Sequence, residues 1–366
     1  TRQGIDQFGS FAEQLTRDTS GGLALNYAAG PLHLSAAASL ADVRRHYVST
    51  PYPSDYQGLS ERGTLSGDLS LPMNLRVDFG AEHEWTRAFD TYDARHTATL
   101  DSGHVLLGYY SDRLTLAAGA RVDSHSQFGS HWTGGANAAL RLAGALRLRV
   151  SYGEGFKAPS LYQLYAGYGT GNPALQPETS RSYDAGLQYG DRSGPVFASL
   201  TWFKRDTRNL IYYDNSNFTY FNTASASVDG VEIEGGVRPV ASLALSGNFT
   251  WMSPRDVTNT RDLARRPRNT LNLAADWQTP LKPLALGVDF RLVSSAIDYN
   301  SAYNLAVGSI HNLPSYTLVT LHGSYDLTAR VQLFARLENV GDTQYQTAYG
   351  YNSAGRSAYA GLRVKY

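Results

Sequence analysis

Apolar and polar residues alternate along this chain from end to end. Leu243, Leu245, Gly247, Phe249 and Trp251 interleave with Ala244, Ser246, Asn248 and Thr250. Leu271, Leu273, Ala275 and Trp277 interleave with Asn272, Ala274, Asp276 and Gln278. The same alternation sets Leu284, Leu286, Val288, Phe290 and Leu292 against Ala285, Gly287, Asp289 and Arg291. It also sets Val331, Leu333, Ala335 and Leu337 against Gln332, Phe334, Arg336 and Glu338. A period of two belongs to a β-strand with one apolar and one polar face. Runs of about ten residues have the length that a tilted strand needs to cross a bilayer. Roughly 16 to 18 strands are predicted in all, and the segment before Gly21 is the hardest to assign.

The connections sort by length. Short ones fall at 111–113, 143–145, 190–194, 279–283 and 328–329, and long ones at 49–60, 155–180, 253–264, 297–313 and 341–355. Transmembrane barrels have short periplasmic turns and long external loops. Placing the C-terminal residue on the short-turn side puts every long loop on the other side, an arrangement not expected of a soluble β-sandwich. No fixed repeat stands out, which argues against a propeller. The expected fold is all-β, an antiparallel transmembrane β-barrel.

The C-terminal residues sharpen that expectation. Ala358, Ala360, Leu362, Val364 and Tyr366 share one face of a predicted strand, and Tyr359, Gly361, Arg363 and Lys365 share the other. Such a strand offers a bare edge unless it closes a barrel. The pattern formed by Gly361, Val364 and Tyr366 resembles the terminal signal of bacterial outer-membrane β-barrels, which implies that the barrel-assembly machinery is a partner.

Composition narrows the class. The 366 residues carry 32 basic and 32 acidic side chains, a formal net charge of zero, which argues against a nucleic-acid partner. The chain has no Cys, so it has no disulfide frame, zinc-thiolate site or thiol nucleophile. There are 25 Tyr and 35 Gly against 2 Met, a balance that favours strands, interfacial aromatic girdles and tight turns. No apolar run reaches the ~18 residues of a transmembrane helix. The mean hydropathy is slightly negative, which a barrel tolerates because only alternate residues meet lipid. The sequence starts at Thr1 without a visible signal peptide and reads as a processed or truncated chain.

No catalytic constellation is found, and the chain is not expected to be an enzyme. His83 and Glu84 lack the second His of a zincin helix. Gly167, Gly169 and Gly171 are not followed by a helical pattern and read as a flexible loop. Asp90 and Asp93 are too few to define a calcium site, and no metal site or cofactor is assigned. The tyrosines of the long connections carry more. Tyr47, Tyr52 and Tyr56 surround the first, Tyr162, Tyr165 and Tyr168 lie in the longest, and Tyr299, Tyr303, Tyr349 and Tyr351 occupy the last two. Tyr212, Tyr213, Tyr220 and Phe221 flank another. A Tyr ring gives a rigid apolar face with a hydrogen-bonding tip, suited to a large amphipathic ligand. The alternative reading is an aromatic belt at the membrane interface.

Longer motifs point to a family. The run Ser151-Tyr152-Gly153-Glu154-Gly155-Phe156-Lys157-Ala158-Pro159-Ser160-Leu161 is followed by Gly171-Asn172-Pro173-Ala174-Leu175-Gln176-Pro177-Glu178. With Leu337-Glu338-Asn339-Val340-Gly341-Asp342-Thr343-Gln344-Tyr345, these stretches resemble the barrel of TonB-dependent outer-membrane receptors. Four others are similar to the cobalamin-transporting branch of that family. They begin at Arg121, Asn209 and Val228, and the most characteristic is Tyr349-Gly350-Tyr351-Asn352-Ser353-Ala354-Gly355-Arg356.

The resemblance implies a bacterial outer-membrane location, with lipid around the barrel and an external ligand imported at the expense of TonB-coupled energy. The expected ligand is cobalamin or a related corrinoid. Tyr47, Tyr52, Tyr56, Tyr162, Tyr165, Tyr299, Tyr303, Tyr349, Tyr351, Asn352 and Arg356 are the candidate ligand contacts. Members of the family also carry an N-terminal plug, a TonB-binding motif, calcium-binding loops and a 22-stranded barrel. The chain is expected to be one barrel domain over 1–366 that lacks the plug and first strands, with the calcium loops in that missing part. Two other readings stay open. A ferric siderophore receptor would use the Arg261, Arg265, Arg266 and Arg268 cluster on an anionic ligand. A passive porin-like channel would need no plug.

Overall fold

The computed structural model describes residues 2–5, 12–48, 53–167, 169–214, 217–299 and 310–365. Tyr52, Tyr168, Tyr303 and Tyr366 lie outside the described residues. The first strands in chain order are β1 (Arg2–Ile5), β2 (Ala12–Ala29), β3 (Leu32–Val48), β4 (Ser54–Leu71), β5 (Leu75–Asp90), β6 (Asp93–Tyr110) and β7 (Leu114–His125). Next come β8 (Gly129–Ala143), β9 (Leu146–Lys157), helix α1 (Leu161–Tyr165), β10 (Glu178–Tyr189), β11 (Val196–Asp214), β12 (Thr219–Val240) and β13 (Leu243–Asp256). The remainder are β14 (Arg261–Asp262), β15 (Asn269–Gln278), β16 (Leu284–Val293), β17 (Ala296–Asp298), β18 (His311–Leu313), β19 (Tyr316–Asp326), β20 (Val331–Glu338) and β21 (Ser357–Val364).

Nineteen of these strands form one sheet, and β17 and β18 form a separate hairpin. From β1 to β7 each strand pairs antiparallel with its successor. The same meander links β12 to β13, β13 to both β14 and β15, and then β15, β16, β19, β20 and β21 in turn. Seventeen members of the sheet have eight residues or more, in keeping with the strand number expected from alternation. The chain divides into two compact units, the first of residues 1–138, 151–181 and 207–225, the second of 139–150, 182–206 and 226–366.

Register shows why the alternation is so regular. In the first unit Tyr27, Leu25 and Leu23 of β2 stand opposite Leu34, Ala36 and Ala38 of β3. The apolar row continues through Leu65 of β4, Ala81 and Phe79 of β5, Val105 and Leu107 of β6, and Ala120 and Ala118 of β7. Most of these side chains lie open: Leu25 is 66% exposed and Leu107 53%, while Leu34 and Phe79 are half-buried. The opposite face holds Asp68 across from Asp78, and Arg76 reaches both, at 3.5 and 2.6 Å. Arg62 meets Glu84 at 2.8 Å on that face. A sheet with its apolar face outward and its charges paired on the other face suits lipid on one side and a polar lumen on the other.

In the second unit, Ala358, Ala360, Leu362 and Val364 of β21 oppose Leu337, Ala335, Leu333 and Val331 of β20. Tyr359, Gly361 and Arg363 oppose Arg336, Phe334 and Gln332. A Cβ on Gly361 would overlap the outer end of the Phe334 ring. Gly361 and Val364 therefore both sit within a paired strand.

The short turns fall where expected, the long connections predicted at 49–60 and 155–180 are shorter, and the one predicted at 253–264 begins later. Residues 54–60 belong to β4 and residues 253–256 to β13, because these strands run on past the apolar band with polar residues on both faces. The connection after β9 contains helix α1, and the one after β16 contains the β17–β18 hairpin.

Candidate functional site

In the first unit the connection 158–177 is built around a five-residue helix. Ser160 caps α1: its Oγ accepts from the Gln163 amide at 3.2 Å, while Gln163 Oε1 accepts from the Ser160 amide at 2.9 Å. This reciprocal capping box satisfies two amides that a helix start leaves open. Leu164 and Leu175 are buried beneath it, and the amides of Gly171 and Asn172 return to the carbonyls of Ala166 and Gln163. A Cβ on Gly171 would strike the backbone of residues 164–166, so only glycine permits the closure. The glycine run expected to be flexible is a folded loop at Gly171.

That loop presents Tyr162 to a file of rings. Tyr162 meets Tyr56 edge-on at 5.5 Å and Tyr220 at 6.3 Å, and Tyr220 meets Tyr213 at 5.1 Å. Edge-to-face contacts at this spacing are favourable for aromatic rings. Burial, then the nearby Asp90 carboxylate, raises the Tyr162 phenol above its ordinary pKa. Tyr165 turns away from this file. It stacks on His96 at 3.8 Å and accepts a hydrogen bond from Gln127 Nε2 at 2.8 Å, so it pins the loop. The loop is also tied to β12, where Asn172 Nδ2 donates to the Tyr220 carbonyl at 2.8 Å and Thr219 Oγ1 to that of Thr170 at 2.9 Å.

A cavity of about 660 Å³ lies against this file. Arg45, Tyr56, Glu84, Arg121, Asp123, His125, Lys157 and Tyr162 line it. The Arg45 guanidinium lies 6.0 Å from the centre of the Tyr56 ring, and the two residues are direct cross-strand partners. Arg121 pairs with Asp123 at 2.8 Å and Lys157 with Glu178 at 3.4 Å. Sequence reasoning missed Arg45, Arg121 and Lys157 as site residues, because the β3–β4 and β6–β7 registers are needed to bring them together. Tyr47 is the penultimate residue of β3 and is exposed.

In the second unit the candidate residues are knitted into backbone. Tyr299 Oη donates to the Asp262 carbonyl at 2.9 Å, and the Arg261 guanidinium lies over its ring at 4.1 Å. Burial raises its phenol pKa, against the pull of Arg261. The Tyr349 amide donates to Asp298 Oδ2 at 2.9 Å and its ring stacks on His311 at 3.7 Å. Asn352 Oδ1 accepts from Gln346 at 3.3 Å, and the Arg356 amide donates to Asp342 Oδ1 at 2.8 Å. Buried Asn339 bonds both the amide and the carbonyl of Thr343, at 2.9 and 3.0 Å. Residues 339–345, read as a family marker, thus scaffold the loop that carries Tyr351 and Arg356. Tyr351 is 53% exposed, and the Asn352 and Arg356 side chains are exposed as well.

The arginine cluster of this unit is largely neutralised. Arg261 pairs with Asp256 at 3.4 Å, Arg265 with Asp298 at 3.0 Å and Arg268 with Asp262 at 2.8 Å. Arg266 donates to the Arg265 carbonyl. Among the described residues no group of three or more His, Asp or Glu side chains is placed to hold a metal ion. Among the same residues no helix is long and apolar enough to cross a membrane, a statement that does not bear on crossing by strands.

Residues 2–340 match the family described as TonB dependent receptor-like, beta-barrel, and the chain belongs to that family. It is therefore an outer-membrane protein of a transporter and receptor family, not of an enzyme family. Similar solved structures include a mutant of the ferric enterobactin receptor PfeA of Pseudomonas aeruginosa, at TM-score 0.80 and 20% identity over 96% of this chain and 62% of that one. The siderophore receptor PirA of Acinetobacter baumannii has TM-score 0.80 and 18% identity, with 96% and 62% covered. The FrpB iron transporter of Neisseria meningitidis has TM-score 0.79 and 13% identity, with 98% and 64% covered. These likenesses show the fold. The chain spans less than two thirds of the length of each of these structures.

Proposed function

We propose that this chain supplies the barrel of a TonB-dependent importer whose ligand is an iron(III)–siderophore chelate. The observation that carries the reading is the file Tyr56, Tyr162, Tyr220 and Tyr213 beside a cavity into which Arg45 brings a guanidinium, 6.0 Å from the centre of the Tyr56 ring. Ring faces and guanidinium groups suit a bulky anionic chelate with aromatic arms. The solved proteins named for enterobactin, siderophore or iron transport share this fold and support the reading. The anion site expected at Arg261, Arg265, Arg266 and Arg268 plays no part in it, since three of those cations already hold carboxylates. Energy would come from TonB acting through a plug.

A corrinoid importer is the second reading. The exposed Tyr351, Asn352 and Arg356 favour it, because they sit on the loop whose sequence is similar to the cobalamin branch. Equilibrium binding to the full-length gene product decides between the two. A ferric tris-catecholate and cyanocobalamin are titrated separately, by tryptophan quenching or by radiolabel. Tyr162→Ala and Arg45→Ala should each weaken chelate binding by about 1–2 kcal/mol, the scale of an aromatic or cation–π contact. Binding of cyanocobalamin alone, lost in Tyr351→Ala and kept in Tyr162→Ala, would replace the chelate with the corrinoid.

A further inference from the structure

The second unit contains a buried carboxylate on the β17–β18 hairpin that bonds two other connections. Asp298 closes β17 and is 1% exposed. Its two oxygens both accept from Arg265 Nε at 3.0 Å, and Oδ2 also accepts from the Tyr349 amide at 2.9 Å. The Arg265 amide donates to the carbonyl of the preceding Ile297 at 2.7 Å. Arg265 holds that double grip with a left-handed backbone, at φ 57°. Across the hairpin, Asp298 stands opposite His311, whose ring stacks on Tyr349. Backbone and ring of Tyr349 are thus held by the two facing residues of one hairpin.

We propose that Asp298 is a positioning residue that locks the 257–268 and 339–356 connections onto the β17–β18 hairpin. A buried carboxylate sets the geometry of its partners because leaving either of them unpaired is costly. At 1% exposure it cannot itself meet a ligand from solution. It acts through Tyr349, and so on the loop that carries Tyr351, Asn352 and Arg356. Pre-ordered loops bind at lower entropic cost than loose ones. The consequence for ligand affinity rests on the importer reading above; the lock itself does not.

The test is backbone amide exchange in the full-length gene product, which needs no ligand. Asp298→Ala should speed exchange at 346–351 about tenfold, the equivalent of one charged hydrogen bond, while β20 and β21 stay protected. Asp298→Asn keeps an acceptor for the Tyr349 amide but loses the charge facing Arg265. It should give a smaller change, and it supplies the readout if the alanine variant does not assemble. Arg265→Ala combined with Asp298→Ala should loosen 346–351 no further than Asp298→Ala alone, since both changes release the same lock. Unchanged exchange at 346–351 in both Asp298 variants, or fully additive effects, would overturn the proposal. Under the corrinoid reading, the one that uses the Tyr351 loop, affinity for cyanocobalamin is expected to fall about tenfold in Asp298→Ala, through lost pre-ordering. If the native protein fails to bind cyanocobalamin, the corrinoid reading loses its ligand, and the exchange result still decides the lock.

Discussion

Gly361 illustrates how one residue can be legible for one reason and fixed by another. The sequence pattern singles it out with Val364 and Tyr366 as part of a terminal assembly signal. In the fold, Gly361 is the partner of Phe334, whose ring occupies the space a Cβ would take. Gly361→Val should therefore destabilise the β20–β21 pairing by about 1–3 kcal/mol through overpacking. Combining it with Phe334→Ala removes the clash and should restore most of the loss. Thermal denaturation of the detergent-solubilised full-length protein, followed by its shift in electrophoretic mobility, measures both variants. No rescue by the second change would mean that packing against Phe334 is not what demands glycine here. Among the tyrosines, side-chain chemistry alone marks Tyr162 and Tyr165 alike. Only the folded loop separates them, aiming one at Tyr56 and closing the other against His96. Asp298 was not legible at all: nothing in its neighbours announces a residue that Arg265 and Tyr349, 33 and 51 positions away, will both contact.

Strands announce themselves because period two must persist wherever one face meets lipid and the other does not. For that reason β13, β15, β16 and β20 fall where alternation places them. The signal fades once a strand leaves the apolar band, so residues 54–60 read as loop although they pair with β3 and β5. Helix α1 was invisible for a different reason, since five residues cannot display a helical period. Its one local mark is Ser160 followed three positions later by Gln163, a capping box. Ser160→Ala should cost about 1 kcal/mol of loop stability. Exchange at the Gln163 and Leu164 amides should rise accordingly, without change in the amides of β9 and β10. Because Tyr162 is carried on this turn, the same substitution should weaken chelate binding in proportion. A change in binding with no change in exchange would mean that Ser160 acts by touching the ligand.

The whole molecule inverts the distribution of a water-soluble protein, and that inversion makes a sharp prediction about neighbouring positions. Leu25 and Ala24 are consecutive in β2, yet they project to opposite faces. Leu25 stands beside Ala36, within the exposed apolar row that runs on to Leu65 and Val105. Ala24 stands beside Ala37, on the face that farther along the strands carries Asp68, Asp78 and Arg76. An arginine on the lipid face of a transmembrane barrel costs about 2–4 kcal/mol at the bilayer midplane and less near the interfaces. Leu25→Arg should pay a cost of that order, and Ala24→Arg should be nearly neutral. Refolding of the full-length protein into phosphatidylcholine vesicles, titrated with urea, reads both. Equal penalties would mean that the two faces see the same medium. If Ala24→Arg alone were costly, the face carrying Asp68 and Arg76 would be the one packed against lipid, and the cavity at Tyr162 and Arg45, which opens on that same face, could not receive a ligand from water.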